Sequence, residues 1–339
     1  MPETNKQIRL ASRPSGWVTP DNFTLTEEAA PEPADGQLLL RNIYMSVDPY
    51  MRGRMNDRKS YIEPFGLGEV LQAGVVAEVM ESRSDKFSAG DIVTGMAGWE
   101  NYSLHNGADL RKIAPGPAPL SYHLGILGMP GMTAYVGLVG IGEAKEGEQV
   151  YVSAASGAVG SVVGQIAKNL SCWAAGSAGS DEKVALLKDE LGFDAAFNYK
   201  TTDSLHSAVH EVCPKGIDVY FENVGGAMLE AALFNMNPFG RIALCGMIAD
   251  YNVKPEEMPP GPRGMILMVG RSLKMQGFIV FNYPELCQEW VAKGSQWLNE
   301  GKLKYRETVA EGIENAPAAF IGMLKGENIG KQIVKLADE

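Results

Sequence analysis

A chain of 339 residues, 45% hydrophobic and 21% charged, has the composition of an ordinary globular protein and room for two domains. Its formal net charge of −11 works against a nucleic-acid ligand, whose phosphates require a basic face, and against docking on an anionic membrane. The four cysteines, Cys172, Cys213, Cys245 and Cys287, form no C-x-x-C pair, so they suggest neither a disulfide framework nor a zinc ribbon and suit a reducing cytosol.

Met1 to Arg13 is polar and lacks the apolar core of a signal peptide. Leu38 to Tyr44, Gly74 to Val79 and Asp91 to Thr94 read as short strands between Gly, Pro and Asp turns, which predicts a β-rich domain. Leu124 to Gly142 is uncharged and just long enough to cross a bilayer, but its six glycines and Pro130 favour buried helix and turn. From Gln149 the pattern changes. Val150 to Ser153 reads as a strand, Val159 to Leu170 as a helix, Cys172 to Gly176 as a strand and Asp181 to Leu191 as a helix capped by Ser180. Ala196 to Tyr199 is a strand and Ser204 to Val212 a helix. Ile217 to Phe221 and Ile242 to Leu244 are strands around a helix at Met228 to Leu233, and Leu273 to Val280 is the last strand of the series. Such alternation predicts an α/β fold with a Rossmann-type doubly wound parallel sheet. After Tyr305, a short strand, a helix near Pro317 to Leu324 and a strand from Lys331 to Leu336 predict a tail that returns to the first domain. The expected domains are 1–127 with 305–339, and 128–304.

The first strand of the series runs into Ala155-Ser-Gly157-Ala-Val-Gly160 and then a helix, the G-x-G-x-x-G pattern with alanine in its first slot. Gly157 would let the backbone approach a pyrophosphate, Gly160 would let the helix pack close to the sheet, and the helix N-terminus would face the anion. The alternative is a tight strand–helix turn that binds no nucleotide. NAD enzymes usually place an acid at the end of the second strand; here that position is Ala178, with Ser180 and Lys183 close behind. This favours NADPH, although Asp181 stands only a few residues on. His206 and His210 share a helix face but have no evident third ligand, and Gly66 to Gly74 holds neither histidine nor cysteine, so no metal site is expected.

Seven segments carry a family resemblance: Val47-Asp-Pro-Tyr-Met-Arg-Gly-Arg-Met55, Leu127 to Tyr135, Ala154 to Ser161, Gly179 to Lys183, Phe221-Glu-Asn-Val-Gly-Gly226, Cys245 to Asn252 and Gly326 to Lys331. On these the chain resembles the zinc-free branch of the medium-chain dehydrogenase/reductase family. Within it the resemblance is to the leukotriene B4 12-hydroxydehydrogenase/prostaglandin reductase group and most of all to the bacterial NADPH-dependent curcumin reductases. It implies a GroES-like substrate domain made from both chain ends, and NADPH lying in a cleft. The lining it implies comprises Thr133, Gly157, Ala158, Val159, Gly160, Lys183, Tyr199, Asn223, Cys245, Gly246, Met247, Tyr251, Phe278, Ile279, Val280 and Asn328. Lys183 and Tyr199 would grip the 2′-phosphate. Three departures stand out: Ala155 in the fingerprint, Trp173 where an aliphatic residue is expected, and Glu222 where relatives often carry Asp.

The family reduces carbon–carbon double bonds conjugated to a carbonyl and works as a homodimer. The expected activity is therefore hydride transfer to the β-carbon of a hydrophobic enone, with a donor stabilising the enolate oxygen. Tyr251, just past the strand end at Leu244, is the candidate donor; packing on the cofactor is the alternative for it. Tyr50, Tyr61, Met265 and Phe281 are candidates to shape the substrate pocket. Rival readings are a quinone reductase using the same cofactor site and a non-catalytic NADPH-binding redox sensor. A zinc alcohol dehydrogenase lacks its ligands here.

Overall fold

The computed structural model describes residues 4–339. They divide into two compact units: the chain up to Gly125 together with Glu307–Glu339, and Ile126–Arg306. The junctions fall two residues from those expected at 127/128 and 304/305. The start of the polar Met1 to Arg13 stretch lies outside the described residues.

The first unit opens with β1 (Thr4–Leu10) and β2 (Phe23–Ala29), an antiparallel pair. Then come β3 (Leu38–Ser46), α1 (Tyr50–Arg54), β4 (Gln72–Ser82), β5 (Ile92–Gly98), β6 (Tyr102–His105) and β7 (Arg111–Lys112). Leu38 and Leu40 face inward on β3, as the period of two requires, and the alternation slips at register shifts between Leu39/Leu40 and Asn42/Tyr44. The strands run past the carboxyl ends of the segments read from the sequence, to Ser46, Ser82 and Gly98.

In the second unit α2 (Met129–Tyr135) runs into a π-helical turn at Val136–Ile141, so the uncharged stretch is helix and turn, with most of its side chains buried. Among the described residues no helix is long and apolar enough to cross a membrane. There follow β8 (Gln149–Val152), α3 (Gly160–Asn169), β9 (Trp173–Ala178), α4 (Asp181–Ala185), β10 (Ala195–Asn198), α5 (Leu205–Val212), β11 (Ile217–Glu222), α6 (Gly226–Asn235), β12 (Met236–Leu244), α7 (Ile266–Gly270), β13 (Lys274–Gly277) and α8 (Pro284–Asn299). The six strands are parallel, in the order β10-β9-β8-β11-β12-β13. The chain lays down β8, β9 and β10 in one direction and then resumes on the other side of β8 with β11. That reversal is the point where doubly wound sheets open a crevice. Tyr151 and Tyr220 bury one sheet face against Val209 of α5 and Leu229 and Leu233 of α6. Trp173, at the start of β9, donates its indole N–H to Val212 O at 2.9 Å and so ties the strand to the end of α5.

Several elements differ from the sequence reading: β12 begins at Met236 rather than Ile242, and α7 was not expected. The helix from Asp181 is regular only to Ala185 and continues as a π-helical turn, Leu186–Glu190. The strand expected from Leu273 to Val280 is confined to Lys274–Gly277, and the chain then turns at Val280–Asn282. The helix α8 has no counterpart in that reading. Its buried stripe is only Cys287, Trp290 and Gly294, too narrow among polar residues to show as an apolar period.

The tail forms β14 (Glu307–Glu311), α9 (Ala316–Leu324) and β15 (Lys331–Lys335). It completes the first unit's seven-stranded sheet, in the order β14-β15-β3-β4-β5-β7 with β6 also on β3.

Candidate functional site

The carboxyl ends of the six parallel strands carry most of the sequence-predicted site residues. Leaving β8, the chain passes through Ala154 at φ 48°, a left-handed conformation that favours glycine. Gly157 N–H donates to Ala154 O at 3.0 Å. A Cβ at Gly160 would lie 2.5 Å from Ala154 O and 2.8 Å from Ala155 Cα, so only glycine can begin α3 there. The same packing explains Ala155. A Cβ at Gly176 of β9 would meet the Ala155 methyl at 2.5 Å; the glycine has moved to the facing strand. The turn delivers Ala158 and Val159 to the N-terminus of α3, whose positive dipole end suits a phosphate. A backbone cradle that a side chain would fill is the feature a pyrophosphate needs, and the residues fit it.

One strand over, β9 ends at Ala178, which is 1% exposed. Ser180 caps α4, its hydroxyl accepting from Lys183 N–H at 3.3 Å. Asp181, the residue that argued against a 2′-phosphate, accepts from Asn198 Nδ2 at 2.9 Å. Lys183 is buried, and its ammonium titrates below the ordinary lysine range, first because of burial and then because Lys200 is close. A Cβ at Gly179 would lie 3.1 Å from Tyr199 Oη and 3.3 Å from Lys200 Cε, so both side chains stand over that glycine. Two neighbouring cations beside a phenol, with alanine at the acid position, fit a bound phosphate monoester. Lys200 was missed in the sequence; the signal was a second lysine directly after the third strand.

On the other side of β8, Asn223 follows β11. Its backbone N–H donates to Ser153 Oγ at 2.9 Å and its Nδ2 to Ser153 O at 2.8 Å. Cys245 N–H and Gly246 N–H donate to Glu222 O at 2.9 and 3.1 Å, which aligns the end of β12 with that of β11. The Cys245 thiol is pushed up to about 12, chiefly by burial and then by Glu222. Tyr251 ends the short helical turn Ile248–Asp250, and a Cβ at Gly246 would lie 3.2 Å from its hydroxyl. The hydroxyl therefore reaches back over Gly246. After β13, Phe278 meets Phe221 edge-on with ring centroids 6.4 Å apart. Gly137 makes room for both rings, since a Cβ there would approach Phe221 to 2.4 Å and Phe278 to 2.7 Å. Val280 is buried and Thr133 of α2 donates its hydroxyl to Met129 O at 2.8 Å.

The remaining predicted residues are elsewhere. Met265 and Phe281 belong to the second unit but are 46% and 67% exposed. Tyr50, Tyr61 and Asn328 belong to the first unit. Tyr50 opens α1 and is partly buried; burial, and then Asp48, hold its phenol above the ordinary range, so it stays a neutral donor. Tyr61 is exposed, and Asn328 donates Nδ2 to Gly330 O at 2.8 Å. Among the described residues no three His, Cys, Asp or Glu side chains gather as a metal would require. His206 instead pairs Nδ1 with Asn235 Nδ2 at 3.2 Å.

Residues 6–113 match the family model described as the N-terminal domain of oxidoreductase, and residues 158–296 the one described as zinc-binding dehydrogenase. The chain is 44% identical to the NADPH-dependent curcumin reductase of Escherichia coli, over 99% of this chain and 98% of that protein. It is 47% identical to prostaglandin reductase 1 of Bos taurus, over 94% and 95%. Among solved structures it is similar to CurA from Vibrio vulnificus in complex with NADPH, at 46% identity and TM-score 0.93, covering 98% of this chain and all of that one.

Proposed function

The chain belongs to the zinc-free branch of the medium-chain dehydrogenase/reductase family, and on that premise we propose that it reduces the carbon–carbon double bond of α,β-unsaturated ketones and aldehydes with NADPH. The observation that carries the reading is the pairing of the Ala154–Gly160 cradle with the Lys183–Tyr199–Lys200 corner on adjacent strand ends. The first suits a pyrophosphate and the second a 2′-phosphate. Asn223, Cys245 to Met247 and Phe278 to Val280 would hold the rest of the cofactor, with Thr133 supplying a polar contact. The Ile126–Arg306 unit is thus the dinucleotide-binding domain and the unit made from both chain ends the substrate domain.

When bound, the nicotinamide supplies the hydride that the β-carbon accepts. Tyr251 holds its hydroxyl over Gly246 and donates a hydrogen bond to the substrate oxygen as negative charge develops there. Met265 and Phe281 offer a hydrophobic enone an exposed apolar surface. Exposed Phe239, Ile266 and Val269, and the unpaired edge at β13, favour a homodimer. The four free thiols suit the cytoplasm.

The test follows cofactor oxidation with a conjugated enone, the matching saturated ketone and a simple quinone, with NADPH and NADH in parallel. Turnover of the enone with NADPH preferred is expected. Turnover of the ketone would refute double-bond reduction, and turnover of the quinone alone would make the protein a quinone reductase. Light scattering at twice the chain mass is expected for the dimer.

A further inference from the structure

Glu222 closes β11 and is fully buried, at 0% exposure, in the sheet that carries the cofactor loops. Its carboxyl oxygen Oε1 accepts from Ser153 Oγ at 2.9 Å and from Val224 N–H at 2.5 Å. Ser153 follows β8 at the mouth of the pyrophosphate turn, and its Oγ in turn accepts the N–H of Asn223. The carbonyl of Glu222 accepts from Cys245 and Gly246, at the end of β12. One residue therefore tacks together the ends of β8, β11 and β12.

We propose that Glu222 is a positioning residue for the dinucleotide, fixing with one carboxyl oxygen and its own carbonyl the three loops on which the cofactor rests. The inference depends on reading those loops as the NADPH site, and adds to that reading a residue placed beneath the site and acting through Ser153 and Asn223.

Burial raises the Glu222 pKa, against the opposing pull of the Val224 and Gly225 N–H groups, the Tyr220 phenol and the Ser153 hydroxyl. The titratable groups facing it are Tyr151 of β8, Tyr220 on the same face of β11, and Cys245 beyond β12. All three are neutral, and burial pushes each upward.

Two consequences separate positioning from space-filling. Glutamine keeps the acceptor and the planar shape without a charge, whereas leucine keeps the bulk and leaves the Ser153 hydroxyl and Val224 N–H unsatisfied. The second consequence concerns pH. The cofactor is a polyanion, so ionising Glu222 sets another anion behind the pyrophosphate turn. Cofactor affinity must fall as pH rises through the raised pKa, and bound cofactor must raise that pKa further. Stability follows the same sign. The folded carboxyl holds its proton to higher pH than the unfolded chain, so the folded state loses stability as pH rises from the unfolded value through the raised one.

The test measures NADPH binding by fluorescence, without any enone, for the full-length protein and the Glu222→Leu and Glu222→Gln variants, from acid to alkaline pH so that the whole carboxyl titration is covered. Glu222→Leu should bind about tenfold more weakly, the effect of losing a buried hydrogen-bond acceptor. Glu222→Gln should restore most of that loss at neutral pH. It should also lose less affinity than wild type as pH rises, and its thermal midpoint should fall less as pH rises from the unfolded carboxyl value through the raised one. If Glu222→Leu does not fold, the pH comparison between glutamine and wild type still decides. Leucine binding like wild type, glutamine binding as poorly as leucine, or identical pH profiles for wild type and glutamine would overturn the inference while leaving the NADPH site standing. Wild-type protein that does not bind NADPH would overturn both.

Discussion

The turn from Ala154 to Gly160 and the segment from Met247 to Phe281 both follow strands of one sheet, yet they are built in opposite ways. The turn is made of backbone: a left-handed alanine, a glycine with no room for a methyl, and a facing glycine that accommodates Ala155. The later segment ends in side chains with freedom around them, with Met265 and Phe281 about half exposed or more. A phosphate looks the same in every encounter and can be met by a rigid cradle. A range of enones cannot, and the exposed side chains proposed to meet them would trade definition for adaptability.

The largest test of this contrast is Tyr251→Phe. It removes a donor without disturbing the cradle, so kcat should fall about 100-fold, the usual effect of losing one oxyanion donor, with NADPH affinity unchanged. Wild-type turnover would end the donor role. Gly160→Ala probes the rigid side. Its methyl would meet Ala154 O at 2.5 Å, and overpacking of this kind costs about 1–3 kcal/mol, seen as a lowered melting temperature with weakened NADPH binding. An unchanged melting temperature would mean the cradle yields. Lys183→Met should weaken NADPH about tenfold through the lost charge-assisted contact, and leave NADH within about twofold. Equal loss with both cofactors would move the 2′-phosphate elsewhere. Because Lys183 titrates below the usual lysine range, wild-type NADPH affinity should begin to fall at a lower pH than in Lys183→Arg, whose guanidinium stays charged. The smallest effect belongs to Phe281→Ser, which should change kcat/KM for bulky enones by about threefold and leave cofactor affinity alone. A change in cofactor affinity would show that the two regions are not separable in this way.

The same contrast governs what could be read beforehand. The parallel sheet, the glycine turn and the Ser180 cap were legible because each rests on local rules: apolar period, glycine spacing, side-chain capping. The narrow stripe of α8 and the bulged start of β12, where Phe239 takes a positive φ, depend on tertiary packing and left no period to see. Lys200 and Glu222 were hidden for another reason. A lysine after a strand resembles any surface lysine, and a strand-end glutamate resembles any solvated one. Only the fold shows that the first leans over Gly179 and the second is sealed from water.

A conjugated carbonyl is also a soft electrophile, and each turnover would bring an alkylating agent into the protein. The species it attacks is the thiolate. Cys172, Cys213 and Cys287 are buried, and burial lifts the thiols of Cys172 and Cys213 to about 11 and about 12. Cys245, the one nearest the cofactor loops, is lifted as far. Burial thus leaves little thiolate at Cys172, Cys213 and Cys245 for such an electrophile to meet.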